Sequence, residues 1–340
     1  MKIAIHHREG SFSTRWIAYC QRNAITYEIV NAYDSNIIQQ VEDCDAFMWH
    51  HHHNGYKDVL FAKQLLYSLQ MAGKKVFPDF NTGWHFDDKV GQKYLLEAIG
   101  APLVPTYVFY ERETALAWAN KTTFPKVFKL RGGAGSANVK LVKNKMQAVR
   151  LIKRAFGKGT AQFDKWEHLK ERYGKYKTGK ENIKEFLRAM KELFVLPDFA
   201  QMRVPEKGYV YFQDFIPSNS FDIRIIIIDD KAFAIKRLVR KGDFRASGSG
   251  NIIYDKNQID EKCVKIAFDV NKKINSRSIA YDFIFDQDQN PLIVELSYGF
   301  VAKGYDCCEG YWDSDMNWHE GASFDFSGWM VENLVREKND

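Results

Sequence analysis

Short runs of alternating apolar and polar residues, separated by stretches of helical period, organise the first part of the chain. KIAIHH, ITYEIVNAY, DAFMWHH and KKVFPD read as strands. A helical pattern runs through Trp16, Ile17, Tyr19 and Cys20, and another covers residues 57–71. Strands alternating with helices predict a small parallel α/β domain over residues 1–80. A helix over residues 87–99 is stopped by Gly100 and Pro102. TYVFY, FPKVFKL and NVKLV follow as strands, with RGGAGSA between the last two predicting a hairpin. A Lys- and Tyr-rich helical stretch, residues 152–205, reads as an insertion in a central lobe spanning 81–212. YVYFQDFI, FDIRIIIID and KAFAIKRLVR are then three β-rich runs, with a helix over 260–274 and a hairpin of SIAYDFIFD and NPLIVELS turning at QDQN. Residues 213–340 are therefore expected to form a third lobe, an antiparallel sheet with helices, and the whole chain mixes α/β with α+β architecture.

Composition narrows the class. In 340 residues, 45% hydrophobic, there is enough apolar material for a sizeable core. An aromatic share of 15% is enough to line several pockets. No apolar run approaches the roughly 20 residues of a membrane-spanning helix, and MKIAIHHREG lacks a signal peptide's apolar stretch, so a cytoplasmic protein is expected. The cysteines Cys20, Cys44, Cys263, Cys307 and Cys308 show no C-x-x-C spacing, which argues against a disulfide framework or structural zinc. The net charge of +6 is local: residues 151–208 hold 14 Lys and Arg against 8 Asp and Glu. That concentration speaks for one basic lobe and against a general nucleic-acid binder.

Candidate chemistry concentrates in the β-rich runs. Asp282 in YDFIF and Glu295 in IVELS stand opposite one another if their runs pair around QDQN. Two carboxylates within apolar strands call for a cation, and Mg²⁺ suits a few carboxylates plus phosphate oxygens and water. Arg224, Lys236 and Arg237 supply positive charge of the kind phosphoryl transfer depends on, with Asp222 on the same strand face as Arg224. RGGAGSA, with Lys129 just before it, has the small residues that let backbone N–H groups approach phosphate, although taken alone it reads better as a plain hairpin turn; RASGSGN is ambiguous in the same way. His50 to His53 read as a solvated loop, with the acceptor cleft or an adventitious metal as the functional alternative. In the aromatic tail, Tyr298, Tyr311, Trp312, Asp313 and Trp318 are candidate substrate-side residues against a reading as packed core.

The order of these parts resembles the ATP-grasp superfamily over about residues 80 to 300, and within it the glutamate-adding, ribosomal-protein-modifying type of carboxylate-amine ligase. DDKVGQKYLLEAIGAPLVPTYVF resembles the entry to that fold, FPKVFKLRGGAGSANVKLV its lysine strand and glycine loop, and YVYFQDFIPSNSFDIRIIIIDDKAFAIKR its hinge and D-x-R block. AYDFIFDQDQNPLIVELS is similar to its metal-binding strands. The resemblance implies two lobes sandwiching ATP behind a small N-terminal domain. It implies that Lys89, Lys129 and the loop Gly132, Gly133, Gly135 and Ser136 contact the nucleotide, that Gln213, Asp214, Phe215 and Ile216 form the adenine hinge, and that Asp222 lies near the ribose or the hinge. Arg224, Lys236 and Arg237 would face the γ-phosphate, and Asp282 and Glu295 would hold Mg²⁺, or Mn²⁺ in its place. Ser297 stands where the family's third ligand is asparagine. The implied reaction activates a carboxylate as an acyl phosphate and joins it to an amine, on an amino acid, peptide or sugar acid. A catalytically reduced ATP-binding regulatory protein and a nucleic-acid binder using the basic insertion are the alternatives.

Overall fold

The computed structural model describes residues 1–133, 138–162, 165–177, 182–195, 204–239, 244–245, 250–321 and 324–336. It divides into two compact units. Residues 1–52, 57–104 and 216–340 make the first, and residues 53–56 and 105–215 the second.

The first unit begins with β1 (Lys2–His6), α1 (Phe12–Arg22), β2 (Thr26–Val30), the short α2 (Ile37–Gln40), β3 (Ala46–Trp49), α3 (Tyr56–Met71), β4 (Lys75–Phe77), the single turn α4 (Phe80–Gly83) and α5 (Lys89–Ala98). The strands form a parallel sheet in the order β2-β1-β3-β4. Helix ends are fixed locally: Ser11 caps α1 by accepting from the Ser13 N–H, and Asp88 caps α5 by accepting from Gly91.

The second unit contains β5 (Thr106–Phe109), α6 (Arg112–Lys121), β6 (Lys126–Lys129), β7 (Lys140–Val142), α7 (Lys145–Ala155), α8 (Lys165–Lys177), α9 (Ile183–Lys191) and β8 (Val210–Asp214). Its antiparallel sheet runs β5-β8-β6-β7, and the β6–β7 pair is the hairpin expected around RGGAGSA. YVYFQDFI does not join the two β-rich runs that follow it. It supplies β8, which is enclosed between β5 and β6.

The chain returns to the first unit with β9 (Phe221–Ile228), β10 (Lys231–Leu238), β11 (Ile252–Ile253), α10 (Glu261–Ile274), β12 (Ser278–Phe285), β13 (Pro291–Ser297), β14 (Gly310–Asp313), β15 (Trp318–Glu320) and α11 (Phe326–Val335). Their sheet runs β13-β12-β9-β10-β14-β15, with β11 against β10. Period-two alternation gives it two apolar faces. Ile223, Ile225, Ile227 and Tyr281 pack on Cys263, Val264 and Ala267 of α10. Ile226, Ile228, Phe233 and Ile235 share the opposite face with Ile3, Ile5, Trp16, Met48 and Phe77 from the parallel lobe. The parallel lobe and the C-terminal sheet thus share one core instead of standing as separate bodies, and α11 packs on α1.

Candidate active site

Strand register assembles the site. Glu295 pairs with Asp282 across β13 and β12, and Asp282 pairs with Arg224 across β12 and β9. One step away, Asp222 pairs with Arg237 across β9 and β10. Alternation sets Asp222, Arg224 and Arg237 on the face that carries Ile226 and Ile235. The hairpin that makes Asp282 and Glu295 neighbours has the register expected from QDQN.

The side chains form a connected charge network. Arg224 donates from Nε and Nη2 to the two oxygens of Asp282 at 2.5 and 2.6 Å. Arg237 grips Asp222 in the same two-point way, at 2.6 and 2.7 Å, and its Nη2 lies 3.0 Å from Asp282 Oδ1. Lys89, buried at the start of α5, reaches Glu295 at 3.0 Å. Burial works against the Asp282 charge, but the guanidinia of Arg224 and Arg237 prevail and hold its carboxyl well below the usual range. Asp282 therefore stays ionised wherever the protein is folded near neutrality.

Lys236 is not part of this network. As the immediate neighbour of Arg237 on a strand it points to the opposite face, where its ammonium sits 4.0 Å from the centroid of the Phe221 ring and 3.3 Å from Gln258. Grouping it with Arg224 and Arg237 is corrected by strand alternation. Tyr305, which the sequence did not single out, is buried with its hydroxyl against the Arg224 guanidinium. Nothing in its local pattern marks it, because the contact depends on how the chain returns after β13. Close by, Cys307 is exposed while Cys308 is buried, its thiol 3.5 Å from the Ala234 carbonyl.

In the second unit, Lys129 donates to Gln213 Oε1 at 2.7 Å, and Gln213 in turn reaches Thr106 Oγ1 at 3.1 Å. Lys126, also unremarked in the sequence, pairs with Asp214 at 2.5 Å. Because β8 has a strand on each side, Gln213 sits inside the ladder, and the Asp214 N–H already donates to the Pro105 carbonyl. Of the expected hinge, Phe215 and Ile216 follow the strand end. Gly132 directs its N–H at Glu206 at 3.5 Å, and Gly133 adopts a φ of 105° that disfavours any side chain. Gly135 and Ser136 lie outside the described residues, as do residues 246–249 of RASGSGN.

Two further expectations are corrected. His50 and His51 are buried, not solvated: His50 stacks on Phe12 with centroids 3.8 Å apart and accepts from the Phe12 N–H at 3.2 Å. In the tail, Tyr298 is fully buried with its hydroxyl donating to the His51 carbonyl at 2.6 Å, and Trp312 is core, meeting Trp318 edge-on. Asp313 is occupied by its own turn, bonded by Asn317 and His319. Tyr298 and Trp312 close the core through size and aromaticity.

The donor set suits a hard divalent cation. Asp282 uses three of roughly four acceptor positions on the arginines, and Glu295 uses one on Lys89, so both retain capacity. Ser297 donates its hydroxyl proton to the Gly299 carbonyl at 2.7 Å, which leaves the oxygen lone pairs. Among the described residues no group of three His, Cys, Asp or Glu side chains is placed to hold a metal unaided. Phosphate and water oxygens would have to complete the shell, as Mg²⁺ prefers.

Comparison with known proteins matches residues 200–306 to the RimK-like ATP-grasp domain. A 109-residue stretch is 23% identical to the uncharacterised MG012 homolog of Mycoplasma pneumoniae, and the match covers 31% of this chain and 38% of that protein. The RimK domain ATP-grasp protein of Sphaerobacter thermophilus superposes with a TM-score of 0.57 at 14% identity, covering 99% of this chain and 100% of that one. The biotin carboxylase domain of Hydrogenobacter thermophilus 2-oxoglutarate carboxylase, solved with MgADP and bicarbonate, gives 0.59 at 12% identity, covering 99% and 70%. Among the described residues no helix is long and apolar enough to cross a membrane. The strand block that carries the charge network thus matches the RimK-like ATP-grasp domain, and nearly the whole chain shares the fold of solved ATP-grasp proteins.

Proposed function

We propose that this chain is an ATP- and Mg²⁺-dependent carboxylate-amine ligase of the cytoplasm. The observation that supports it most is the single row Glu295, Asp282, Arg224 across three adjacent strands, with Lys89 at its edge. Such a row sets metal-binding carboxylates beside cations able to face transferred phosphate.

In this reading Asp282 and Glu295, with Ser297, hold Mg²⁺, which when bound neutralises phosphate charge. Arg224 and Lys89 face the phosphates. Lys129, the glycine loop and the strand end at Phe215 and Ile216 keep the nucleotide roles that the family resemblance implies for them. A carboxylate oxygen of the substrate attacks the γ-phosphorus, the bond to the bridging oxygen breaks, and ADP leaves. The amine nitrogen then attacks the acyl carbon, phosphate departs with the C–O bond electrons, and the nitrogen gives its proton to solvent. No protein nucleophile is needed. The carboxylate is assigned to an amino acid, a peptide or a sugar acid of a surface polysaccharide.

Calorimetric titration with ADP in the presence of MgCl₂ tests this reading. Uptake by the unaltered protein, weakened at least tenfold by Glu295→Gln, is expected; no uptake, or uptake indifferent to that change, refutes it.

A further inference from the structure

Asp282 has two cationic partners, and they are not equivalent. Oδ2 accepts from Arg224 Nη2, at 2.6 Å, whereas Oδ1 is shared between Arg224 Nε at 2.5 Å and Arg237 Nη2 at 3.0 Å. Arg237 is itself anchored by both oxygens of Asp222 and its side chain is 7% exposed. The Arg224 side chain is 18% exposed, and its other neighbour is the Tyr305 hydroxyl.

Resting on the ligase reading, we infer that Asp222 and Arg237 form a positioning pair that holds Asp282 through Oδ1, while Arg224 is its exchangeable partner, drawn from Oδ2 by nucleotide phosphate. This role moves Asp222 and Arg237 away from the nucleotide contacts that the family resemblance implies for them. The physical reason is neutrality in a buried place. A carboxylate this enclosed cannot lose both cations at once, because an unpaired buried charge is strongly disfavoured. With Arg237 fixed by Asp222, Arg224 can turn to a phosphate and Asp282 still keeps a partner. The oxygen that this movement uncovers is Oδ2, on the residue paired with Glu295 in the β12–β13 register. Divalent cation and nucleotide are then coupled. Without nucleotide, Arg224 covers the oxygen that a cation needs; with nucleotide, the same guanidinium has a better-charged partner. A purely structural ion cluster would make no such distinction between its two arginines.

Calorimetry with MnCl₂ alone, and with MnCl₂ plus ADP, separates the two. The unaltered protein is expected to take up Mn²⁺ only with ADP. Arg224→Met should bind Mn²⁺ alone at least tenfold more tightly than the unaltered protein and MnADP at least tenfold more weakly. The charge-balanced double change Asp222→Asn with Arg237→Gln should gain nothing for Mn²⁺ alone and lose about tenfold for MnADP, with its thermal transition retained. Should that double variant fail to fold, Arg237→Lys, which keeps the charge but not the two-point fork, gives the same comparison. The inference is overturned if Arg224→Met shows no nucleotide-free gain, if the inner-pair variant shows that gain, or if the inner-pair variant takes up MnADP as the unaltered protein does. No MnADP uptake by the unaltered protein is a different result and sinks the ligase reading itself.

Discussion

His85 and His51 carry imidazoles with almost no access to water, and burial lowers both, His85 from 6.5 to about 4 and His51 to about 3. The unfolded chain takes up these protons near 6.5 and the folded chain does not. Stability is therefore complete above that pH and declines as pH falls toward 4. Replacing His85 with Gln should flatten the decline by about 1 kcal/mol per pH unit between pH 6 and 4.5, measured by urea unfolding at each pH. An unchanged slope would show that His85 is protonated in the folded chain. At this scale the sequence revealed part of the site. Asp282 and Glu295 were legible because their hairpin is local and its turn explicit. Arg224 was legible as a candidate cation but not as the partner of Asp282, because it lies 58 residues away and its partner depends on which strand lands beside β12. Alternation sets Lys236 and Arg237 on opposite faces of their strand, a distinction that residue type alone does not carry.

Strands show the same division between local and distant information. The β6–β7 and β12–β13 hairpins follow from glycine or polar turns between alternating runs. The place of β8 could not be read off, because its neighbours β5 and β6 are distant in sequence and compete with the equally apolar β9 that follows. The β14–β15 hairpin depends on one missing side chain. A Cβ at Gly310 would stand 2.2 Å from the His319 carbonyl oxygen and 2.6 Å from the Trp318 ring. Gly310→Ala should therefore push β15 away and cost about 1–3 kcal/mol of stability, as overpacking does. Amide exchange should rise across β14 and β15, and protection equal to that of the unaltered chain would refute the argument.

For the whole first unit, the shared core has a consequence that the expected three-lobe division does not. Ile3, Ile5, Trp16, Met48 and Phe77 bury against Ile226, Phe233 and Tyr298, at roughly 1.5–3 kcal/mol for each large side chain. Their sum rivals the about 5–15 kcal/mol by which a domain is stable at all. A chain that starts at residue 81 should accordingly lack a cooperative thermal transition, read by circular dichroism; a sharp transition would show that the C-terminal sheet stands alone. The fold class was legible from patterning, whereas this merger was not, because surfaces that belong to two segments look in sequence like two ordinary amphipathic faces.

Of the five thiols only Cys307 is open to solvent, and it lies two positions beyond the phenol that touches Arg224. A maleimide fluorophore should thus label the native chain at one place, turning the adjoining guanidinium's environment into an optical signal without any engineered cysteine.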